Sequence, residues 1–221
     1  MLLVEQGGLK MNRIQHINKK LWVASLCLGL AVTLICQCTL LSAECTAIRN
    51  SLVRLHILAN SDSEQDQALK IKVRDALLSH SGGLFAGYTT KEEAIGKLEG
   101  SLDKLTQIAR ETLEQEGCSL PVTCQLEETY FNTRVYDTVT LPAGNYTALR
   151  VLIGKGAGQN WWCVMFPPLC IPAAEEVTAM PNGLEGVLTP NERDLVTNGP
   201  RYQMKFKVVE WAQQAKEWLG F

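Results

Sequence analysis

The order of segments predicts an α+β domain, an antiparallel sheet with two helices packed on one face, preceded by an apolar N-terminal export or anchor segment. Three observations carry this. A strand-like segment at 52–58 is followed by two helix-period segments and then by three or more segments of β-type composition, which segregates helices from strands. Both helical segments open on capping signatures. Leu21 to Ala43 carries no charged side chain.

That first stretch is rich in Leu, Val, Ile and Ala and is preceded by Arg13, Lys19 and Lys20. At about 23 residues it exceeds the 7 to 15 of a signal-peptide core and is long enough to cross a bilayer. It is an export signal; removal and retention as an anchor both stay open. The flanking positive charges place the amino terminus inside and the bulk of the chain outside. Ala43 suits the residue before a cut, whereas Leu41 is larger than the small residue preferred there. Glu44 follows Ala43, so Cys45 stands one place too late for lipidation. Met11 would serve as a start as well as Met1. The expected organisation is 1–43 leader or anchor, 44–171 α+β core, and 172–221 loop and C-terminal amphipathic helix.

From Glu44 onward 17 basic side chains face 22 acidic ones, with no basic cluster of the kind that phosphate binding requires, so nucleic acid is not an expected partner. Three of the eight cysteines, Cys27, Cys36 and Cys38, lie in the apolar segment. Export would permit oxidation of the rest, and the pairs close in sequence are Cys118 with Cys124 and Cys163 with Cys170, leaving Cys45. A Cys163–Cys170 bridge requires Pro167-Pro168 to turn the chain back, because an extended strand would hold the two more than 20 Å apart. There is no close C-x-x-C pair, and only His56 and His80 lie outside the leader, so no metal site and no cofactor are expected.

Val53, Leu55 and Ile57 alternate with Arg54 and His56, the pattern of a strand at the edge of a core. Asn60 to Ser63 is turn chemistry, and Ser61 with Glu64 spells a capping box. Leu69, Val73, Ala76 and Leu77 then follow helical spacing up to Gly82-Gly83. Thr90 with Glu93 opens a longer helix, its stripe Ile95, Leu98, Leu102, Leu105, Ala109 and Leu113, ending at Gly117. Gly96 and Gly100 inside it each cost about 1 kcal/mol relative to Ala, which predicts close approach by another element. After Pro121, Val122, Cys124 and Leu126 alternate with polar residues, and Tyr130 and Tyr136 extend the β-type composition. Pro142 to Asn145 is a turn; Tyr146 to Ile153 and Trp161 to Phe166 are strands joined through Gly154, Gly156 and Gly158, read as a meander or hairpin pair. Pro172 to Arg201 reads as a long exposed loop. Val208, Trp211, Ala212, Ala215 and Leu219 fit one helix face.

The glycine loop at 154–158 is not a phosphate loop, since it feeds a strand and lacks the G-x-G-x-x-G spacing. The sharpest enzymatic alternative is a cysteine hydrolase with Cys163 as nucleophile, His56 as base and Asp62 or Asp66 orienting it. Against it, Cys163 sits in the most apolar strand, where a reactive thiolate lacks an electropositive niche. Asn60, Asp62 and Asp66 cluster at a helix start, where capping explains such residues. Alternation sends Trp161 and Trp162 to opposite sheet faces, so one is expected in the core and the other exposed, the kind of residue that dominates interfaces.

LVRLHILANSDSEQDQALKIKVRD (52–75) and LPAGNYTALRVLIGKGAGQNWWCVMFPPLC (141–170) resemble the stage II sporulation protein R family. The resemblance implies an exported, non-enzymatic signalling protein made in the forespore and acting in the space between forespore and mother cell. Its implied partner is the extracytoplasmic face of a polytopic membrane aspartic protease, whose activation leads to processing of a mother-cell sigma-factor precursor. The ANSDS and DQ stretch belongs to the motif, which adds partner contact to the readings of Asn60, Asp62 and Asp66.

Overall fold

The computed structural model describes residues 5–81, 84, 88–136, 139–167, 184–198, 211 and 218, with side chains from residue 19 onward. The chain runs α1 (Glu5–Ser51), β1 (Val53–Leu58), α2 (Glu64–Ser81), α3 (Lys91–Glu99), α4 (Leu102–Gln115), β2 (Val122–Phe131), β3 (Arg134–Tyr136), β4 (Val139–Leu141), β5 (Gly144–Ile153), β6 (Asn160–Phe166) and α5 (Pro190–Thr197). It divides into two units, Met1–Ala43 and Glu44–Phe221. In the first, the apolar side chains of α1 from Leu21 to Leu40 stand exposed, and the helix is long and apolar enough to cross a membrane by length and composition, consistent with a signal or anchor segment.

The second unit is the expected α+β domain, built on a four-stranded sheet of order β2-β5-β1-β6 with a separate β3-β4 hairpin. The β2–β5 and β1–β6 pairs are antiparallel, but β1 and β5 run parallel. β1 is therefore central in the sheet, and β5 and β6 are not a hairpin, because β1 lies between them. The alternation of β1 distinguishes its two faces; it does not reveal that both become covered.

The first face carries Val53, Leu55 and Ile57, with Leu149, Val151 and Ile153 of β5 and Cys163 and Met165 of β6. Leu69, Val73 and Leu77 of α2, Ala94 and Leu98 of α3, and Leu105, Ala109 and Leu113 of α4 pack on it; each fully buried Leu, Val or Ile contributes about 1.5–3 kcal/mol. The second face is closed in part by residues of the β3-β4 hairpin, by Cys45, Ile48 and Leu52 at the start of the unit, and by α5, which packs on β4.

Several sequence expectations change. The helix starting at Thr90 forms its capping box but ends at Gly100, and α4 starts anew after Ser101, so the single stripe is carried by two helices that meet β1 and β2 separately. Among the described residues no other element approaches the two glycines: a Cβ on Gly96 would meet nothing within 4 Å, and one on Gly100 only the Gly96 and Lys97 carbonyls of its own helix. Gly117 ends α4 at φ 71, with Cys118 N–H donating back to Leu113 O at 2.9 Å, a left-handed helix stop that favours glycine. α2 ends at Ser81; Gly82-Gly83 lie outside the described residues. Within the stretch read as a loop, Thr189 and Glu192 form a capping box with Pro190 in the first turn of α5, and Leu184, Leu188, Leu195 and Val196 are buried. Of the C-terminal helix, Trp211 and Trp218 are helical and exposed; Val208, Ala212, Ala215 and Leu219 lie outside the described residues.

Candidate functional site

The β1–α2 turn and the β5–β6 linker form one hydrogen-bonded unit. The linker leaves β5 and passes the end of β1, where Gly158 N–H donates to Ala59 O at 2.9 Å and Ala157 N–H to Asn60 O at 3.3 Å. Asn60 Oδ1 accepts from Lys155 N–H at 3.0 Å while its Nδ2 donates to Asp66 Oδ2 at 2.9 Å. Asp62 Oδ1 accepts from Gln159 N–H at 2.7 Å. Lys70 Nζ, on the first turns of α2, reaches Gln67 Oε1 at 2.5 Å and Gln159 O at 3.0 Å, and burial lowers its pKa from the ordinary lysine value. A Cβ on Gly158 would collide with the Ser61 backbone. The glycine there is thus needed for close approach of two chain segments, not for phosphate.

The cap of α2 falls two residues beyond the Ser61 that the sequence marks, and it is a hydroxyl cap rather than a capping box. Ser63 Oγ accepts from Asp66 N–H at 3.2 Å, so Ser63 caps α2, and the Ser61 hydroxyl donates to Asp66 Oδ2 at 2.5 Å. Hydrogen bonds from Ser61 and Asn60 hold the Asp66 carboxyl below the ordinary carboxylate range. Asn60 and Asp66 therefore direct their side chains inward to the turn, and Asp62 uses one carboxylate oxygen on the linker. The three residues come together as a clamp.

The tryptophans do separate onto opposite faces, but neither is fully exposed. Trp161 packs against the helical core, with the Arg74 guanidinium 4.2 Å above its ring. Trp162 is half-buried on the second face, stacked on His56 with centroids 4.0 Å apart and planes 9° from parallel, and edge-on to Phe131 at 4.7 Å. Arg134 lies over the Trp162 ring at 5.2 Å.

Beside this stack Arg54 is fully buried. Its Nε donates to Cys163 O at 2.8 Å and its Nη2 to the Tyr136 hydroxyl. Phe131, Tyr146 and Tyr136 surround the guanidinium at 4.2, 5.0 and 5.6 Å, a cation–π cage. Burial lowers the Arg54 pKa and raises that of the Tyr136 phenol. The sequence marked Arg54 only as a residue of the polar face. Tyr136 and Arg134 arrive from a separate hairpin, so no local signal pointed to the cage.

The proposed Cys163–His56 pair does not assemble. In the antiparallel register Leu55 faces Cys163 and His56 faces Trp162, so Cys163 lies on the helical face and His56 on the other, with the sheet between them. Cys163 is also disulfide-bonded; Cys170 lies outside the described residues. Cys118 and Cys124 are free thiols. Cys118 N–H reaches Leu113 O and Cys124 N–H reaches Thr106 Oγ1. Among the described residues no group of His, Cys, Asp and Glu is arranged to hold a metal.

The clamp, the tryptophan pair and the buried arginine all fall within one matched region. A profile of stage II sporulation protein R matches residues 49–176. The stage II sporulation protein R of Bacillus subtilis (strain 168) is 42% identical over 123 residues, 56% of this chain and 55% of that protein, so the chain spans about half the length of this curated relative. No solved structure matches. Since the profile covers more than half of the chain and every strand of the sheet, this chain belongs to the stage II sporulation protein R family.

Proposed function

We propose that this chain is an exported sporulation signal that activates a membrane-embedded aspartic protease from its extracytoplasmic side, leading to processing of a sigma-E-type mother-cell precursor. The observation that carries the reading is the family match over residues 49–176. The charge-free stretch Leu21–Ala43 of α1, preceded by Lys19 and Lys20, supports delivery across a membrane, and the space between forespore and mother cell is the proposed site of action. The separation of Cys163 from His56 by the sheet supports action by binding. A binding signal activates only by holding the active arrangement of the protease, or its assembled form, more tightly than the inactive one; equal affinity for both shifts nothing.

The test is reconstitution in a non-sporulating bacterium that makes the candidate protease and a tagged precursor, with the chain supplied with or without residues 1–43. Shortening of the precursor that depends on the leader is the expected immunoblot result. Absence of shortening, with a folded exported domain present, would refute the proposal.

A further inference from the structure

The second face of the sheet differs in charge from the rest of the domain. From Glu44 onward acidic residues outnumber basic ones. The β1 and β5 residues on this face include Arg54, His56 and Arg150, and Arg134 reaches over it from β3. Among the described strand residues directed to it, the carboxylate is Glu127, already engaged by Arg150 at 3.0 Å, Gln125 at 3.1 Å and Thr129 at 3.4 Å. Nitrogens here are left over. Arg134 Nε and Arg150 Nε are buried atoms with no hydrogen-bond partner among the described residues, whereas Tyr146 and Asn160 interact with Arg54 and His56. Enclosed nitrogens are out of a ligand's reach, so what this face offers a partner is its positive charge, which Glu127 alone among the described strand residues directed to it offsets.

Access exists at one corner. Arg54 and His56 are buried, but Arg134, Trp162, Leu58 and Leu152 are only half-buried and Asn160 is exposed. Val135, next to Arg134, is 61% exposed. The Arg134 guanidinium lies against Trp162, which is stacked on His56, so both are pre-positioned and lose little freedom on binding.

We infer that this corner is a docking surface for an acidic segment of a protein partner, with a carboxylate seated on Arg134 beside the Trp162–His56 stack. The inference rests on the reading of the chain as a binding signal and specifies the chemistry of its contact. Arginine is the side chain whose planar fork matches a carboxylate, and buried Arg54 adds positive charge beneath it without touching the ligand. An anionic lipid surface fits less well, because these arginines are held against rings rather than extended into solvent, and the domain as a whole is net negative.

The test uses the full chain in neutral detergent micelles and a dye-labelled hexaglutamate peptide, with binding followed by fluorescence anisotropy. Hexaglutamate is expected to bind at least ten-fold more tightly than hexaglutamine. Arg134→Gln is expected to weaken hexaglutamate at least five-fold, Arg134→Lys to restore part of the loss, and Lys97→Gln on α3 to change nothing. A thermal melt checks folding, and the Lys variant keeps the test decisive if the Gln variant unfolds. Equal binding of both peptides, no loss in either Arg134 variant, or binding only to phosphatidylglycerol vesicles would overturn the inference. Wild-type failure in the reconstitution removes the proposed function and leaves the peptide result standing; failure of peptide selectivity removes only this surface.

Discussion

Asn60→Ala separates a structural clamp from a contact residue. The substitution removes the bond from Lys155 N–H to Asn60 Oδ1 and the bond from Asn60 Nδ2 to Asp66 Oδ2, at 3.0 and 2.9 Å. A net hydrogen bond is worth about 0.5–1.5 kcal/mol, or about 1.5–3 kcal/mol when one partner is charged, as Asp66 is. Asn60 is half-buried, so water replaces part of what is lost, and about 2 kcal/mol is the expected net cost. For a unit of roughly 178 residues that is a fall in melting temperature of about 4–8 °C. The assay is thermal unfolding of the full chain in neutral detergent, followed by tryptophan fluorescence, with Asn60→Ala, Asp66→Ala and the double variant measured together. The double variant should cost less than the sum, because the two side chains share one bond. A fall of less than about 1 °C for Asn60→Ala, or strict additivity, would refute the clamp. Loss of precursor processing with an unchanged melt would then restore partner contact as the role of these residues.

Two further outcomes follow from the same region. Gly158→Ala places a Cβ against the Ser61 backbone, whereas Gly117→Ala has open space and only its φ of 71 to strain; the first should lower the melting temperature clearly more than the second, and equal effects would argue against the close approach of linker and turn. Asp66 has a folded pKa below its unfolded value, so its contribution to stability is fully present above about pH 4 and is lost as pH falls through the folded value; acid titration of the melt should show a loss below about pH 4 that is shallower in Asp66→Asn, and identical pH profiles would contradict the hydrogen bonds assigned to it.

What was legible in the sequence was mostly local. Thr90 and Glu93 form the expected capping box because every group involved lies within one turn. The Thr189, Pro190 and Glu192 signal is equally local, but the irregular Pro and Gly around it have the composition of a loop and obscure it. At Asn60 to Asp66 the residue types correctly indicated a turn and helix start, but Ser61 and Ser63 compete for the capping role, and the choice depends on Ser61 being drawn to Asp66 Oδ2. The long helix from Thr90 broke at Gly100 because its stripe is shared between two supports, a tertiary requirement that periodicity along one helix does not express.

By itself the sequence determined the apolar N-terminal segment, the alternation of β1, the helix start at Thr90, the separation of Trp161 from Trp162 onto two faces and the family, because these depend on spacing within a segment or on direct matching of residues. Only the tertiary structure decided that β1 inserts between β5 and β6, that Cys163 and His56 are divided by the sheet, and that Arg54 is caged by Phe131, Tyr136 and Tyr146. These outcomes join segments some 80 or more residues apart in the chain, and the burial that selects such pairings is non-directional and leaves no periodic trace in any one of the partners.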